Sequence, residues 1–194
     1  MTVRLRRLGV EPDPVPEGYP RELEHRLRLL DGRRVFLRPI LPTDAAELQR
    51  AVEGADPETL RRRFLGGSPP HTAEEFERLV RVDYRRRSAV VALAEDGHGV
   101  GIARYETLGD TGTAEIAVAV DPEWRHVGLA TALLRQLAAG AVANGITRFA
   151  AEFFADNLDV TDLLEESDAP FRNLAEDAGV VSVELALPEQ LEPE

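Results

Sequence analysis

Apolar and polar positions alternate from His25 to Arg38 on both sides of Asp31-Gly32. A period of two marks strands with one buried face. Asp-Gly between two such runs predicts a hairpin, because both central positions of that turn need positive φ. Three helix starts follow. Pro42-Thr43-Asp44 opens a segment running to about Gly54, Asp56-Pro57-Glu58 opens a second, and Thr72 with Glu75 makes a capping box for a third. Behind that box Phe76, Leu79 and Val80 share one helical face, and residues 66–70 (Gly-Gly-Ser-Pro-Pro) form the break before it.

From Ser88 the pattern shortens into strands and turns. Apolar runs at Ala89–Glu95, Val100–Leu108 and Thr113–Val120 are separated by glycine-rich turns and read as three antiparallel strands. Gly128 to about Ala143 is a long helix with Leu129, Leu133, Leu134, Leu137 and Ala141 on its buried stripe, stopped by Asn144-Gly145. Thr147–Phe154 reads as a strand, Asp159–Glu166 as a short helix, and Phe171–Leu187 as a hairpin turned at residues 177–179. The prolines at 12, 14, 16 and 20 make residues 1–22 an expected flexible lead-in. Residues 23–188 are expected to form one domain, and 189–194 a disordered tail. The fold class is α/β (α+β), a sheet with helices on its faces.

Composition narrows the chemistry. At 194 residues there is room for one domain with a real core. No apolar run approaches the roughly 18 residues of a membrane span, and the basic N-terminus has no apolar stretch behind it, so a cytoplasmic protein is expected. The absence of cysteine removes disulfides, thiolate metal sites and a cysteine nucleophile, and no metal-ligand set is read. All 23 basic residues are arginine. With no lysine present, the chain cannot modify itself on lysine. The net charge of -12 is unevenly placed: residues 1–87 carry 18 Arg against 15 acids, and residues 88–194 carry 5 against 20. An acidic C-terminal half repels nucleic acid and suits a cationic acceptor such as an amine, although solubility alone also accounts for it.

One segment stands apart, from Ala114 through Asp121-Pro122 to Thr131. A strand ends at Val120, a turn follows, and a helix begins near Gly128. Unpaired N–H groups and the positive dipole end at a helix N-terminus suit a pyrophosphate, and small residues let a ligand approach the backbone. Nucleotide loops of the Gly-x-x-x-x-Gly-Lys or helix-opening Gly-x-Gly-x-x-Gly kind are missing, and the glycines at 97, 99 and 101 fall in a hairpin turn.

Arg125-x-x-Gly128-x-Ala130, between an apolar strand and an amphipathic helix, resembles the pyrophosphate motif of the GNAT acetyltransferases. The order of elements from about Arg33 to Pro188 is similar too, and residues 32–134 look most like the actinobacterial protein-lysine acetyltransferase branch. The resemblance implies the GNAT acyl-CoA N-acyltransferase fold, a mixed, mostly antiparallel, splayed sheet flanked by helices. It implies acetyl-CoA as donor and an amine as acceptor, either a protein lysine or a small molecule, with direct transfer in a ternary complex. Backbone groups of Val118, Ala119 and Val120 would pair with the pantetheine arm. Arg125 and the amides of His126, Val127, Gly128, Leu129, Ala130 and Thr131 would cradle the pyrophosphate. Asn157 matches an asparagine that meets the pantetheine, its alternative being a helix cap. Glu115 matches the general base, with Glu152 in reserve; an edge-strand surface carboxylate is the alternative.

The chain also departs from the pattern. Many relatives carry a tyrosine near the short helix that protonates the departing thiolate, and none follows Tyr105 here. Val127 replaces a frequent basic residue, and the short helix is unusually acidic. A non-catalytic acyl-CoA sensor or scaffold is therefore the competing expectation. The arginine runs at 61–63 and 85–87 read as solvated faces and loops, and Trp124 as a packing residue. Members regulated by cyclic nucleotides carry a further domain, for which the residues before the fold leave no room. The oligomeric state stays open, a homodimer included.

Overall fold

The computed structural model describes residues 15–165, 167 and 169–188. Most of the proline-rich lead-in and the tail 189–194 lie outside the described residues. Eight strands form one sheet: β1 (His25–Arg28), β2 (Arg34–Pro39), β3 (Arg87–Leu93), β4 (Gly99–Thr107), β5 (Thr113–Val120), β6 (Arg148–Phe154), β7 (Phe171–Asp177) and β8 (Val180–Ala186). Among the described residues five α-helices accompany them: α1 (Ala45–Gly54), α2 (Pro57–Arg63), α3 (Ala73–Val80), α4 (Leu129–Ala143) and α5 (Leu158–Glu165).

The strands lie in the order β1-β2-β3-β4-β5-β6-β8-β7, and every neighbouring pair is antiparallel except β5 and β6. That parallel pairing joins only Thr113, Ala114 and Glu115 to Arg148, Phe149 and Ala150. Beyond Glu115 the two strands part. Val118, Ala119 and Val120 keep β4 on one side and, among the described residues, have no paired strand on the other.

Local chemistry accounts for the element boundaries. Gly32 takes φ 91° in the β1–β2 turn, and the Leu29 N–H closes that hairpin on the Arg33 carbonyl at 2.8 Å. Asp56 caps α2 by accepting from the amides of Glu58 and Thr59, each at 3.0 Å. At α3, the Thr72 amide donates to Glu75 Oε2 at 2.9 Å, and the Glu75 amide donates to Thr72 Oγ1 at 3.3 Å. A bidentate Arg38–Asp44 pair, 2.7 Å on both arms, leads the chain from β2 into α1.

The two faces of the sheet are covered differently. On one, α4 buries Leu129, Leu133, Leu137 and Ala141 against Val90, Ala92, Ala103 and Tyr105. Leu134, expected on that stripe, is only half-buried: the stripe runs strictly every fourth residue, and Leu134 lies about 100° around the helix from Leu133. A Cβ at Gly101 would come within 3.0 Å of Leu133 Cδ1, so glycine is what lets α4 lie this close to β4. Farther along, Leu164 of α5 covers Phe153 and Val183. On the opposite face, Ile40, Val80, Ala89 and Val91 form a smaller core with Leu48 of α1 packed against it. Tyr19 meets Tyr84 edge-on at 5.6 Å, and Leu23 lies buried against α4 at Gly140, so the described residues ahead of β1 rest on the domain. Among the described residues, no helix is long and apolar enough to cross a membrane.

Candidate active site

The open end of the sheet gathers the residues singled out by the sequence. Asp121 caps a short 3-10 turn over Pro122–Trp124 by accepting from the Glu123 amide at 2.9 Å. Trp124 is buried beneath the guanidinium of Arg33, 3.9 Å above its ring, and Arg33 Nη2 donates to the Glu123 carbonyl at 2.9 Å. The β1–β2 turn braces the same loop, because the Leu30 amide donates to the Val127 carbonyl at 3.2 Å. His126 and Gly128 both sit in the left-handed region, at φ 56° and 84°. Glycine adopts that conformation freely, whereas a histidine there costs of order 1 kcal/mol or more. Strain of this kind is held by the surrounding contacts and concentrates at functional loops.

Gly128 is the N-cap of α4 and offers no side-chain cap, and the first turn has no acidic residue. Among the described residues nothing accepts from the amides of Leu129, Ala130 and Thr131. The positive end of a 15-residue helix is thus left facing the gap between β5 and β6.

Arg125, Arg61 and Arg62 span that gap from the side of α2. Arg125 donates to the Val120 carbonyl at 3.3 Å and to Thr59 Oγ1 at 3.0 Å, and its Nη1 lies 4.0 Å from Asp159. Arg61 reaches Asp156 at 3.1 Å, while Arg62 reaches Asp159 at 3.7 Å and Asn157 Oδ1 at 3.3 Å. His126 Nε2 lies 3.5 Å from Asp159 Oδ1. Glu58 anchors Arg61 and Arg62 of α2, whose guanidinium hydrogen bonds pull its carboxyl down to about 2. Arg61 and Arg62, within a run read as a solvated face, are therefore an ionic bridge from α2 to the opening of α5. Only the folded chain sets those acids opposite them.

Asn157 is buried at the start of α5, and its own carbonyl accepts the amides of Val160 and Thr161. Its side chain is turned to Arg62 and makes no cap. Glu152 is tied to Ser182 Oγ at 3.1 Å.

Glu115 is exposed on β5 at the last residue paired with β6 and opposite Glu106 of β4. Strand alternation puts Glu115, Glu106 and Arg104 on the face away from α4. Arg63, at the end of α2, is close enough to feel the charges of Glu115 and Arg104. Burial above all, and then the like charge of Arg104, push its guanidinium down to about 10, against the pull of Glu115. Burial likewise lowers Arg104. The sequence puts Arg63 only in the arginine run read as a solvated face and gives no role to Arg104, because their nearness to Glu115 depends on strand register and on where α2 lands. The polar alternation Arg104-x-Glu106 was the one available signal.

The three tyrosines lie elsewhere. Tyr105 points into the α4 core and donates to the Arg85 carbonyl at 3.0 Å, with its hydroxyl raised by burial, and Tyr19 and Tyr84 pack on each other.

The acetyltransferase (GNAT) family matches residues 57–167. An acetyltransferase of Pseudomonas aeruginosa is 32% identical over 136 residues, covering 69% of this chain and 73% of that protein. Acetyltransferase Pat of Mycolicibacterium smegmatis is 30% identical over 159 residues, and the chain spans only 47% of its length. Among solved structures, the GNAT domain of S. lividans PAT superposes with a TM-score of 0.79 at 28% identity, over 87% of this chain and 99% of that one. The same fold, at 19% identity and a TM-score of 0.64 over 82% and 92% of the two chains, is seen in a Sinorhizobium meliloti phosphinothricin acetyltransferase solved with acetyl-CoA. With its splayed sheet, its uncapped α4 and this match over more than half its length, the chain belongs to the GNAT family of acetyltransferases.

Proposed function

We propose that this acetyltransferase moves an acetyl group from acetyl-CoA directly to an amine held beside Glu115, without an acyl-enzyme. One observation carries the reading: an unpaired strand edge at Val118–Val120 runs into the free amides of α4, and an exposed carboxylate stands at the fork of the sheet. An extended thioester arm would complete the edge of β5, with Val118, Ala119 and Val120 supplying backbone bonds as an added strand does. The pyrophosphate would then meet Arg125 and the amides from His126 to Thr131. Arg125 already touches Thr59 and the Val120 carbonyl, so it would join the strand edge to the phosphate turn. Asn157, reached by Arg62, lies across the gap for the pantetheine amides.

In the transfer, the amine nitrogen bonds to the thioester carbon, the carbon–sulfur bond breaks, and the amine proton passes to Glu115, directly or through water. Thiolate is a good leaving group, so water can protonate it without a tyrosine. The acceptor is an amine on a protein lysine or a small molecule.

The test is Glu115→Gln, assayed by amine-dependent thiol release and by calorimetric titration with acetyl-CoA. The expected result is a fall in kcat of about 10²–10⁴, typical of a lost general base, with acetyl-CoA affinity and Tm unchanged. Turnover at the wild-type rate would remove Glu115 from the role. The second reading, an acyl-CoA sensor without catalysis, is favoured by the absence of tyrosine near α5 and by Asp159 holding the phosphate-side cations. Acetyl-CoA binding without thiol release from any amine would establish it.

A further inference from the structure

Resting on the transferase reading, the geometry points to an acceptor whose own skeleton carries a carboxylate beside the amine, met by the guanidinium groups of Arg104 and Arg63. Two charges of the fold are left without a partner among the described residues. Most arginines of this chain are engaged: Arg38 with Asp44, Arg61 with Glu58 and Asp156, Arg62 with Glu58 and Asp159. Arginines without a partner, such as Arg34, Arg78 and Arg135, stand exposed in water. Arg63 and Arg104 differ from both groups. Each is half-buried, and neither makes a hydrogen bond or ion pair with another described residue; Arg63 only lies 5.1 Å over the Phe64 ring.

Taking a cation from water without a partner is unfavourable, and two together repel. Glu115 and Glu106 lie near, but neither closes an ion pair with them. Arg87 adds a third guanidinium, with its Nη2 spent on the Arg81 carbonyl. Three positive groups thus face two carboxylates, one of which must stay free to take a proton. The local surplus is positive on a chain whose net charge is -12.

An amino carboxylate matches this arrangement at both ends. Its ammonium lies against Glu115, which receives the proton, and its carboxylate lies against the paired guanidiniums, whose planar forks suit bidentate contact. Arg104 is diagonal to Glu115 across the β4–β5 pair, a Cβ separation of roughly 7–8 Å that long side chains bridge. A bare alkylamine gains nothing from the arginines and is repelled by them. The two residues select substrate by touching the part that does not react.

The experiment compares amino acids with their own carboxamides as acceptors for the full-length protein, by thiol release at saturating acetyl-CoA. The expected result is a kcat/KM at least tenfold higher for the acid than for its amide. Arg104→Gln and Arg63→Gln should each reduce that ratio about tenfold, chiefly through KM, with acetyl-CoA affinity unchanged. Arg104→Lys should restore part of it, because charge returns without the fork. Equal rates for acid and amide overturn the inference. So does a ratio that survives both substitutions, or a preference for lysine peptides indifferent to neighbouring acids. Absence of thiol release from every amine, with acetyl-CoA bound, sinks the transferase reading instead. Calorimetric titration of the same acid–amide pairs into the CoA-loaded protein and the Gln variants then decides the role of the arginines, tighter binding of the acid that both variants lose supporting it.

Discussion

Strands β4 and β5 turn two unlike faces to the rest of the molecule. On the α4 side Ala103, Tyr105 and Ala114 are at most 1% exposed and enclosed by leucines. On the other side, in the same strands and one residue out of step, stand Arg104, Glu106 and Glu115, none of them in an ion pair among the described residues. The first face is spent wholly on stability. The second carries charge that lowers stability and gains no structural bond in return. Arg104 is the sharpest part of that contrast, a half-buried guanidinium without a partner among the described residues and so a charge that something outside the chain can meet.

Breaking the scaffold face should give the largest effect. Leu133→Ala removes a fully buried side chain packed over Gly101 and should cost about 3 kcal/mol, lowering Tm by roughly 6–12 °C for a domain of this size. The acetyl-CoA Kd of the folded fraction should stay put, and a parallel loss of binding would show that the two faces are not separable.

Arg63→Gln tests the opposite face with the opposite sign. A guanidinium lowered in the fold binds its proton less readily there than in the unfolded chain. Charging it therefore costs stability wherever both states are protonated, up to about pH 10. The variant should be more stable at pH 7 by about 1 kcal/mol, discounted for partial exposure, and that gain should shrink above pH 10. A destabilised variant would mean that Arg63 is a structural residue. Greater stability with poorer acid–amide discrimination is the trade-off expected of a site.

Asp159→Asn is the smallest and sharpest. Asp159 lies against Arg62 and His126, with Arg125 beside it, so its carboxylate competes with an incoming phosphate for the two guanidiniums. The substitution should tighten acetyl-CoA about threefold at low salt, with the difference fading at high salt. Weaker binding would make Asp159 a support of the cradle.

Legibility in the sequence followed the same division. The hairpin at Asp31-Gly32, the capping box at Thr72 and Glu75, the helix behind Gly128 and the turn at Ala178-Gly179 were readable, because each is set by chemistry within a few residues. The turn from Asp121 to Gly128 was readable for the same reason. The bridge from Arg61 and Arg62 to Asp156, Asn157 and Asp159 was not. Its partners lie about a hundred residues apart, and surface arginines look alike until the fold chooses which acids face them. Arg104 escaped notice because alternation along one strand shows which residues share a face, without showing what covers that face.

The three-residue seam between β5 and β6 has a consequence for the protein's life in the cell. Backbone pairing between β5 and β6 stops at Thr113, Ala114 and Glu115, so beyond them the two parts of the sheet are held only by side-chain packing. A ligand lying along the open edge of β5 would close the gap as a strand does. At a hundred times its Kd, it would add about 2.7 kcal/mol to folding. Protease resistance of this chain would then rise and fall with the supply of its acyl donor, so that its abundance would register the metabolic state even when no acceptor is present.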